Sequence, residues 1–422
     1  SYVNLLDINN SKLKFILETH FHADFISGHL ELNKKYGVPI IFGHNAEPAY
    51  DFLGKKDGEI IEVGKVKIKI IHTPGHTLES VCYLLIDENG NDYALFTGDT
   101  LFIGDVGIPD VAQRYQNTTK EELASILYES LEKLMLLSDN VIVYPGHGKG
   151  TQCGKNLSSE TSSTIGKQKR LNYALNFSRK EDFIKSICSN IPEPPDYFIE
   201  AVNKNANGYI DLEKITNKSN NPINQVKFLE LLDNENYIFI DTRNPYDFAK
   251  KHIKKSINIG LNGSFAISAG NLINTNKKIV LICKKGEEKE SIIRLSRVGF
   301  ENIIGYLNPS IDNSFDDKYL SYISQINNAE VSDKSKFQIL DVRTKSEYDN
   351  SHLVGSMNLP LYDINKNYKK LDRGTKYLVH CQTGYRSMIA SSILRNYDFD
   401  VVEIKDGLQG FIKSNSKELI IY

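Results

Sequence analysis

The stretch Glu18-Thr-His-Phe-His-Ala-Asp-Phe-Ile-Ser-Gly-His29 follows a short apolar run, Lys14–Leu17, that is typical of a β-strand. It sets His20, His22 and Asp24 at alternate positions just beyond that strand. Imidazole and carboxylate groups are common protein ligands of iron and zinc. The stretch therefore predicts a metal-binding loop at the end of a strand.

Three further loops place ligand-type side chains after strand-like runs of their own, with His76 in Thr73–Thr77, Asp99 in Thr97–Phe102 and His147 in Tyr144–Gly148. Glycines beside these three side chains permit tight turns that aim a ligand inward. The isolated histidines are interpreted as surface or capping residues: His29, His44 and His72. Between the loops, apolar spacing predicts a helix over Glu121–Leu137, with Thr118 and Glu121 as a capping box.

This constellation resembles the metallo-β-lactamase superfamily, whose signature is HxHxDH followed by a later His, Asp and His. The resemblance covers residues 13–175 and implies a four-layer αββα sandwich. One position departs from the signature, because Phe25 stands where the last His would be. A hydrolase of the glyoxalase II type uses that His for its second metal, so a full second metal site is not expected.

The remaining set, His20, His76 and Asp99, is the 2-His-1-carboxylate arrangement that leaves open positions on Fe(II). It is similar to the iron ligands of the persulfide dioxygenase family, and the runs His22–Gly28 and Thr97–Asp105 look like that branch. The resemblance implies one Fe(II) per chain rather than zinc, and oxidation of a small thiol persulfide with O2 to sulfite. It also implies that three residues orient ligands, manage protons or offer a second site: His22, Asp24 and His147.

The thiol that carries the persulfide stays open between glutathione, coenzyme A and similar molecules. Related enzymes often carry an Arg in the Gly-Asp-Val-Gly-x-Pro-Asp segment, where this chain has Ile108. Such domains also begin with two or more strands before the first metal loop, and N-terminal strands are expected to be absent here. Cys153, which follows His147, is interpreted as structural.

Beyond Ser219 the sequence repeats residue types at a fixed offset of 100, in the pairs Asp241/Asp341, Arg243/Arg343, Asp247/Glu347, Phe248/Tyr348, His252/His352, Ser256/Ser356 and Asn258/Asn358. A period of this length predicts a duplicated domain rather than a solenoid. The repeated Asp, Arg and His residues are interpreted as fold determinants that pair loops within each module.

The second copy carries a candidate reactive cysteine. Lys376–His380 is typical of a buried strand, and the loop Cys381-Gln382-Thr383-Gly384-Tyr385-Arg386-Ser387 leads into a helix predicted to begin near Met388. A thiol at a helix N-terminus experiences the positive end of the dipole and free N–H groups, which favour thiolate and bound anions. Arg386 adds a fixed positive charge.

The CxxGxR pattern resembles the rhodanese family, in which the Cys carries sulfane sulfur between a donor and an acceptor. The resemblance implies catalytic roles for Cys381 and Arg386, a sulfur cradle formed by the other five loop residues, and sulfite or thiosulfate as partners. In the earlier copy the loop is Cys283-Lys-Lys-Gly-Glu-Glu288, in which an acid replaces the Arg. That copy is predicted to be degenerate and mainly structural.

The predicted α/β organisation is a metallo-β-lactamase-type domain over 1–190, a linker over 191–218 that opens on a Pro-rich stretch, and rhodanese-like domains over 219–325 and 326–422. The net charge of −2, with interspersed signs, gives no reason to expect nucleic-acid binding. No apolar run approaches about 18 residues, so no membrane span is expected. Five separated cysteines without a CxxC pair favour a reducing, cytoplasmic setting.

Two other functions stay open from the sequence. One is a binuclear thioester hydrolase of the glyoxalase II type, and the other is a non-oxidative carrier or sensor of sulfane sulfur. The oligomeric state is also open, a homo-oligomer included.

Overall fold

Apolar residues alternate with lysines along Val66–Ile70, and this two-residue period produces a strand with one buried face. The structure, a computed structural model, describes residues 2–109, 118–148, 153–155, 157–189, 191, 194–308, 315–328, 337–413 and 420–421. The chain divides into two units, Ser1–Asp211 and Leu212–Tyr422. None of the helices in these ranges is long and apolar enough to cross a membrane.

The strands of the first unit are β1 (Ile16–Leu17), β2 (Ile40–Gly43), β3 (Leu53–Lys55), β4 (Ile60–Val63), β5 (Val66–His72), β6 (Val81–Ile86), β7 (Asp92–Gly98), β8 (Ile142–Pro145) and β9 (Ser163–Thr164). Its α-helices are α1 (Tyr2–Ile8), α2 (His29–Tyr36), α3 (Lys120–Met135), α4 (Ile165–Leu171), α5 (Lys180–Cys188) and α6 (Asp196–Asn207).

Two sheets face each other in this unit. One is parallel in the order β1-β2-β3, and the other has six strands in sequence order from β4 to β9, antiparallel except for the parallel pair β7 and β8. The apolar cluster between them includes Ile41, Ile61, Ile70, Val81 and Tyr83. The two inner faces thus bury each other, which is the geometry of a sandwich.

Helices cover the outer faces. Leu127 and Leu131 of α3, Ile165 of α4 and Phe183 of α5 pack in one cluster with Leu95 of β7. Each fully buried side chain of this kind stabilises the fold by about 1.5–3 kcal/mol. Helix α2 contacts β1 on the opposite side. The predicted αββα sandwich is confirmed.

Helix α3 begins one residue later than predicted from its capping residues. The Thr119 hydroxyl accepts from the Glu122 backbone N–H at 3.1 Å, and the Glu122 carboxylate accepts from the Thr119 N–H at 2.7 Å. The capping box is therefore Thr119 with Glu122, and the prediction of Thr118 with Glu121 is wrong. Both pairs have the same spacing, so the sequence pattern does not distinguish between them.

The stretch predicted as a linker, 191–218, instead contains most of two helices. Helix α6 begins after Pro195, in keeping with proline's preference for helix starts, and buries Tyr197, Phe198, Ala201 and Val202 within the first unit. The next helix, α7 (Leu212–Ser219), belongs to the second unit. The prolines at the start of this stretch favoured a linker, although the residues after them have the apolar spacing of a helix.

The second unit contains the strands β10 (Tyr237–Asp241), β11 (His252–Ile253), β12 (Ser256–Asn258), β13 (Lys278–Ile282), β14 (Ile303–Leu307), β15 (Leu320–Ser321), β16 (Ser324–Ile326), β17 (Gln338–Asp341), β18 (His352–Leu353), β19 (Met357–Asn358), β20 (Lys376–His380), β21 (Asp400–Ile404) and β22 (Ile420–Ile421). Its further α-helices are α8 (Gln225–Leu232), α9 (Pro245–Lys250), α10 (Phe265–Leu272), α11 (Glu288–Ser296), α12 (Lys345–Asn350), α13 (Ile364–Asn367), α14 (Tyr385–Asn396) and α15 (Gly407–Lys413). Short 3-10 helices occur in both units, at Tyr173–Leu175, Asp317–Tyr319, Leu361–Asp363 and Tyr368–Lys370.

Two parallel sheets, one per module, have the orders β12-β10-β13-β14 and β16-β21-β20-β17-β19. This confirms two α/β modules with parallel sheets. Strand β16 pairs with β21 of the second sheet, so Ser324 and Gln325 belong with the second module, although the predicted boundary placed them in the first.

The repeated residues hold equivalent loops in both modules. The guanidinium of Arg243 binds the carboxylate of Asp241 at 2.6 Å and the carbonyl of Lys251, and Arg343 makes the same contacts with Asp341 and Ser351. Because both carboxylates are buried, removing either Arg would leave an unpaired charge in the interior. The repeated Asp and Arg residues thus connect loops within each module, and their role as fold determinants stays a prediction that these contacts support.

Candidate metal centre and reactive cysteine

Three loops at strand ends bring His20, His76 and Asp99 together. The Asp99 Oδ2 atom lies 3.8 Å from His20 Nε2 and 3.6 Å from His76 Nε2. All three residues are buried, and one ligand atom from each lies within 4.8 Å of the others. The predicted ligand set is therefore assembled in space.

Hydrogen bonds behind the imidazoles orient them toward Asp99. The His76 Nδ1 atom lies 2.8 Å from the carbonyl oxygen of Ile108, and His20 Nδ1 lies 3.0 Å from the Thr19 hydroxyl. A bond at Nδ1 leaves Nε2 free to bind a metal. Ile108, at the position where related enzymes often have Arg, is itself buried and contributes its backbone rather than a charge.

The surroundings of Asp99 indicate that these residues fit a metal ion. Both of its carboxylate oxygens are buried without a hydrogen-bond partner among the described residues. Burial alone would raise the pKa of this carboxyl, yet the imidazoles of His20 and His147 hold the pKa well below its usual value. An ionised, buried and unbonded carboxylate facing imidazole nitrogens is costly without a partner, and a metal ion supplies one. The residues fit a metal site.

A second group adjoins the first. His22, Asp24 and His147 also place ligand atoms within 4.8 Å of one another, and His147 Nε2 lies 3.4 Å from Asp99 Oδ2 and 3.5 Å from Asp24 Oδ2. Burial opposes protonation of His147, but the two carboxylates raise its pKa to about 9. Burial lowers the pKa of His22 to about 4.

Phe25 lies against this second group, with its ring centroid 4.4 Å from that of His22 and 6.3 Å from that of His147. An apolar ring thus occupies the place where the superfamily signature has a further imidazole. The structure brings all six predicted residues of the two groups together. Both groups contain two imidazoles and one carboxylate, but the first is buried throughout and the second is only half-buried.

Close packing of glycine completes the centre. A Cβ atom at Gly146 would lie 2.5 Å from Asp99 Oδ1, so the loop that carries His147 passes directly over the carboxylate. Cys153 is buried, and its thiol forms a third possible ligand group with Asp99 and His147. The sequence analysis interpreted Cys153 as structural, and the structure places its thiol beside two of the candidate metal-binding residues.

The candidate reactive cysteine lies at the end of β20. The Sγ atom of Cys381 accepts from the Gly384 backbone N–H at 3.2 Å and from the Ser387 hydroxyl at 3.5 Å. Gly384 has φ 103°, and a Cβ there would lie 2.5 Å from the Lys405 carbonyl, so only glycine fits this turn. The loop thus forms a cradle around the sulfur.

Helix α14 begins at Tyr385, not near Met388, because Gly384 is the residue before its first turn. Arg386 and Ser387 are therefore helical, and the Tyr385 hydroxyl donates to the Gly260 carbonyl of the preceding module at 2.8 Å.

The other loop side chains differ in their partners. Arg386 forms two 2.7 Å bonds with Glu347, which lower the pKa of that carboxyl to about 2 against the effect of burial. The positive charge of Arg386 is thus largely balanced by the carboxylate of Glu347, a pairing that was not predicted from the sequence. Gln382 accepts from Arg343 at 3.3 Å, and Thr383 is exposed.

The earlier module differs at the same place. Burial, together with Glu288 and Glu287, raises the pKa of the Cys283 thiol to about 12. The Glu288 carboxylate accepts from the Gly286 N–H at 2.7 Å. This loop N–H group is therefore already hydrogen-bonded to an acidic side chain of the protein itself. That this copy is degenerate stays a prediction, which these contacts support.

Two residues were missed or misread from the sequence. Glu403 is buried beside the Cys381 cradle and accepts from Ser387 at 2.6 Å, although nothing in its local sequence marks it. His29 is buried among the rings of Phe42, Tyr50 and Tyr209, so the interpretation of this histidine as a surface or capping residue is wrong.

Comparison with known proteins finds matches for the domain that carries the candidate metal centre and for the two modules that follow it. Residues 3–147 match the metallo-beta-lactamase superfamily, and residues 224–313 and 327–414 each match the rhodanese-like domain. The chain joins a metallo-beta-lactamase domain to two rhodanese-like domains. These are enzyme-type domains, and the His/Asp cluster lies within the metallo-beta-lactamase domain.

A metallo-beta-lactamase from Staphylococcus aureus subsp. aureus COL is 28% identical, with a TM-score of 0.64, over 73% of this chain and 88% of that one. A probable hydroxyacylglutathione hydrolase of Schizosaccharomyces pombe is 35% identical over 32% of this chain and 48% of its own length. The chain spans about half the length of the first curated relatives that it matches. The structure of ETHE1 from Myxococcus xanthus is 27% identical over 49% of this chain and 81% of that one, with a TM-score of 0.40.

Proposed function

We propose that the metallo-beta-lactamase domain oxidises a low-molecular-weight thiol persulfide with O2 and water to sulfite and free thiol at one Fe(II), and that Cys381 transfers sulfane sulfur. The observation that carries the first part is the buried set of His20, His76 and Asp99, with Phe25 at the neighbouring group. Three protein ligands would leave open positions on a bound metal for a substrate sulfur and for oxygen.

The roles of the chain's residues follow from their contacts. His20, His76 and Asp99 would hold the metal, and the backbone of Ile108 keeps the His76 ring in place. Bound Fe(II) would supply the activation of O2 and the attachment of the anionic persulfide sulfur. His147, whose Nε2 atom lies 3.4 Å from Asp99 Oδ2 and 3.5 Å from Asp24 Oδ2, can hold a proton beside Asp99.

The proposed substrate carriers are glutathione, coenzyme A or similar thiols. Cys381 would accept sulfane sulfur as an anion cradled by Gly384 N–H and the Ser387 hydroxyl. It would then supply persulfide to the oxidation or pass sulfur to sulfite to form thiosulfate.

A second candidate is a thioester hydrolase with two metals. It is favoured by the group His22, Asp24 and His147 directly beside the first set, and by the hydroxyacylglutathione hydrolases among the curated relatives. Phe25 argues against it because the ring removes one ligand from that second position.

The deciding experiment measures metal content and two reactions on the same anaerobically purified full-length chain. Glutathione persulfide is added with O2 uptake and sulfite recorded, and an S-acylated glutathione is added with hydrolysis recorded. The proposal expects about one iron per chain and O2 uptake matched by sulfite. Two metals per chain with thioester hydrolysis and no O2 uptake would establish the hydrolase instead.

A matched pair of variants connects the activity to the site. Asp99→Asn keeps the size of the side chain but removes the charge, and we expect loss of both iron and O2 uptake. His44→Gln changes an exposed histidine outside both groups and should retain both. Equal iron content and activity in the two variants would remove Asp99 from the ligand set.

A further inference from the structure

A buried carboxylate that the proposed function does not use lies behind the reactive cysteine. Glu403 is on strand β21, which pairs with β20, the strand that ends just before Cys381. It is fully buried, as are Cys381 and Ser387. An acid in such a place needs partners that stabilise it, or it stays protonated.

Ser387 connects this acid to the thiol. Its Oγ atom lies 2.6 Å from Glu403 Oε1, 3.5 Å from Cys381 Sγ and 3.0 Å from the Gly384 carbonyl. The hydroxyl has one hydrogen for these three acceptors. It can donate to sulfur only when it does not donate to Glu403, so the state of the acid determines which way the hydroxyl points.

The other oxygen of Glu403 is also held. Gln325 Nε2 on the neighbouring strand β16 donates to Oε2 at 2.9 Å. The charges near the carboxylate are those of Lys405 and Asp406 on the loop after β21, and they act in opposite directions. Burial is the largest influence and raises the pKa of Glu403 to about 7.

We propose that Glu403 takes up the thiol proton of Cys381 through the hydroxyl of Ser387, so that the buried pair shares one negative charge between sulfur and carboxylate. The inference rests on the proposed role of Cys381 as the sulfur carrier. In the transfer the S–H bond of Cys381 breaks and its proton goes to Ser387 Oγ. The former Ser387 proton goes to the Glu403 carboxylate, where an O–H bond forms, and the electron pair stays on sulfur as thiolate.

The arrangement suits a carrier that alternates between thiol and persulfide. A base with a pKa close to the working pH exchanges protons in both directions with little cost. Two full negative charges in one buried site would repel each other, so formation of the thiolate and neutralisation of Glu403 favour one another. Glu403 does not touch the sulfur and acts only through Ser387.

The test follows thiolate formation by ultraviolet absorbance across pH in the full-length protein, as the difference between each protein and its own Cys381→Ser version. This readout needs no sulfur donor, so it is independent of whether Cys381 carries sulfur. With the natural sequence we expect thiolate to appear in two steps, a partial one as the pair loses its first proton and a second at higher pH. Glu403→Gln should collapse the two steps into one.

Ser387→Ala removes the hydroxyl that stabilises both the thiolate and the protonated acid, and the lower step should be lost. Asp406→Asn, which changes an exposed charge close to Glu403, is the matched control and should keep both steps. Circular dichroism verifies that each variant is folded. A single step in the natural protein, or two steps preserved in both Glu403→Gln and Ser387→Ala, would overturn the inference.

Sulfur transfer from thiosulfate is measured separately on the same proteins. Two-step thiolate formation without sulfur transfer would refute the proposed role of Cys381 and leave the proton relay standing. Sulfur transfer with one-step thiolate formation would refute the relay and leave the carrier role standing.

Discussion

The thiol of Cys283 should react far more slowly than an ordinary thiol, and the residues around it indicate the size of this reduction. Like Cys381, it is buried and follows a buried strand of a parallel sheet, but it faces two acids. Burial, Glu288 and Glu287 together raise the pKa of the thiol from 9.0 to about 12. The substitution Glu288→Gln removes the acid with the larger effect on the thiol and keeps a side-chain oxygen that can accept from the Gly286 N–H.

The size of the effect follows from the shift in pKa. A shift of about three units means that the thiolate fraction at pH 8 falls from about one in ten to about one in ten thousand. Because burial is the largest cause, Glu288→Gln recovers only part of this difference, and we expect a rise in reactivity of about tenfold.

The assay is alkylation by iodoacetamide at pH 8 in a Cys381→Ser background, with the Cys283 peptide quantified by mass spectrometry over time. Glu290→Gln, an exposed acid on the same helix, is the control and should leave the rate unchanged. Reaction of Cys283 at the rate of a free thiol would refute this reasoning, as would equal rates in Glu288→Gln and Glu290→Gln.

Three further predictions concern the candidate metal centre, the reactive cysteine and Asn205 of helix α6, which hydrogen-bonds to the first metal-binding loop. Phe25→His adds an imidazole beside His22 and should raise the metal content toward two per chain by elemental analysis; unchanged content would show that the ring does not block a second ion. Cys381→Ser should abolish sulfur transfer while O2 uptake with a synthetic persulfide continues, and retained transfer would assign the activity to another cysteine. Asn205→Ala removes hydrogen bonds to His22, Phe25 and Ser27 and should lower the free energy of unfolding by about 3 kcal/mol in urea denaturation, whereas a loss near zero would contradict this role.

The residues that were predicted correctly share one property, which is that short-range sequence identifies them. Strand β20 was predicted with its observed ends, and His20, His76 and Asp99 each follow their own strand. The repeat at an offset of 100 located both modules because the paired Asp and Arg are neighbours in sequence. Physical constraints that act within a few residues can be read from the sequence.

Other features depend on contacts between distant segments, and the sequence does not display them. Glu403 resembles any polar residue of a strand until the fold places it 2.6 Å from Ser387. Arg386 looks free to bind an anion, yet it pairs with Glu347 from a segment 39 residues earlier. The burial of His29 likewise depends on Tyr209, which lies 180 residues later in the chain.

The side chain of Asn205 has a consequence for the order of events during protein synthesis. It donates to the carbonyls of His22 and Phe25, which precede it by 183 and 180 residues. Because contacts this distant in sequence form only when both partners exist, the loop that carries His20 and His22 lacks these donors until residue 205 has left the ribosome. We expect nascent chains that end before α6 to leave this loop sensitive to protease, and chains that extend past Asp211 to protect it. The candidate metal centre includes residues near the start of the chain, yet its first loop would thus be among the later parts of the first unit to fold.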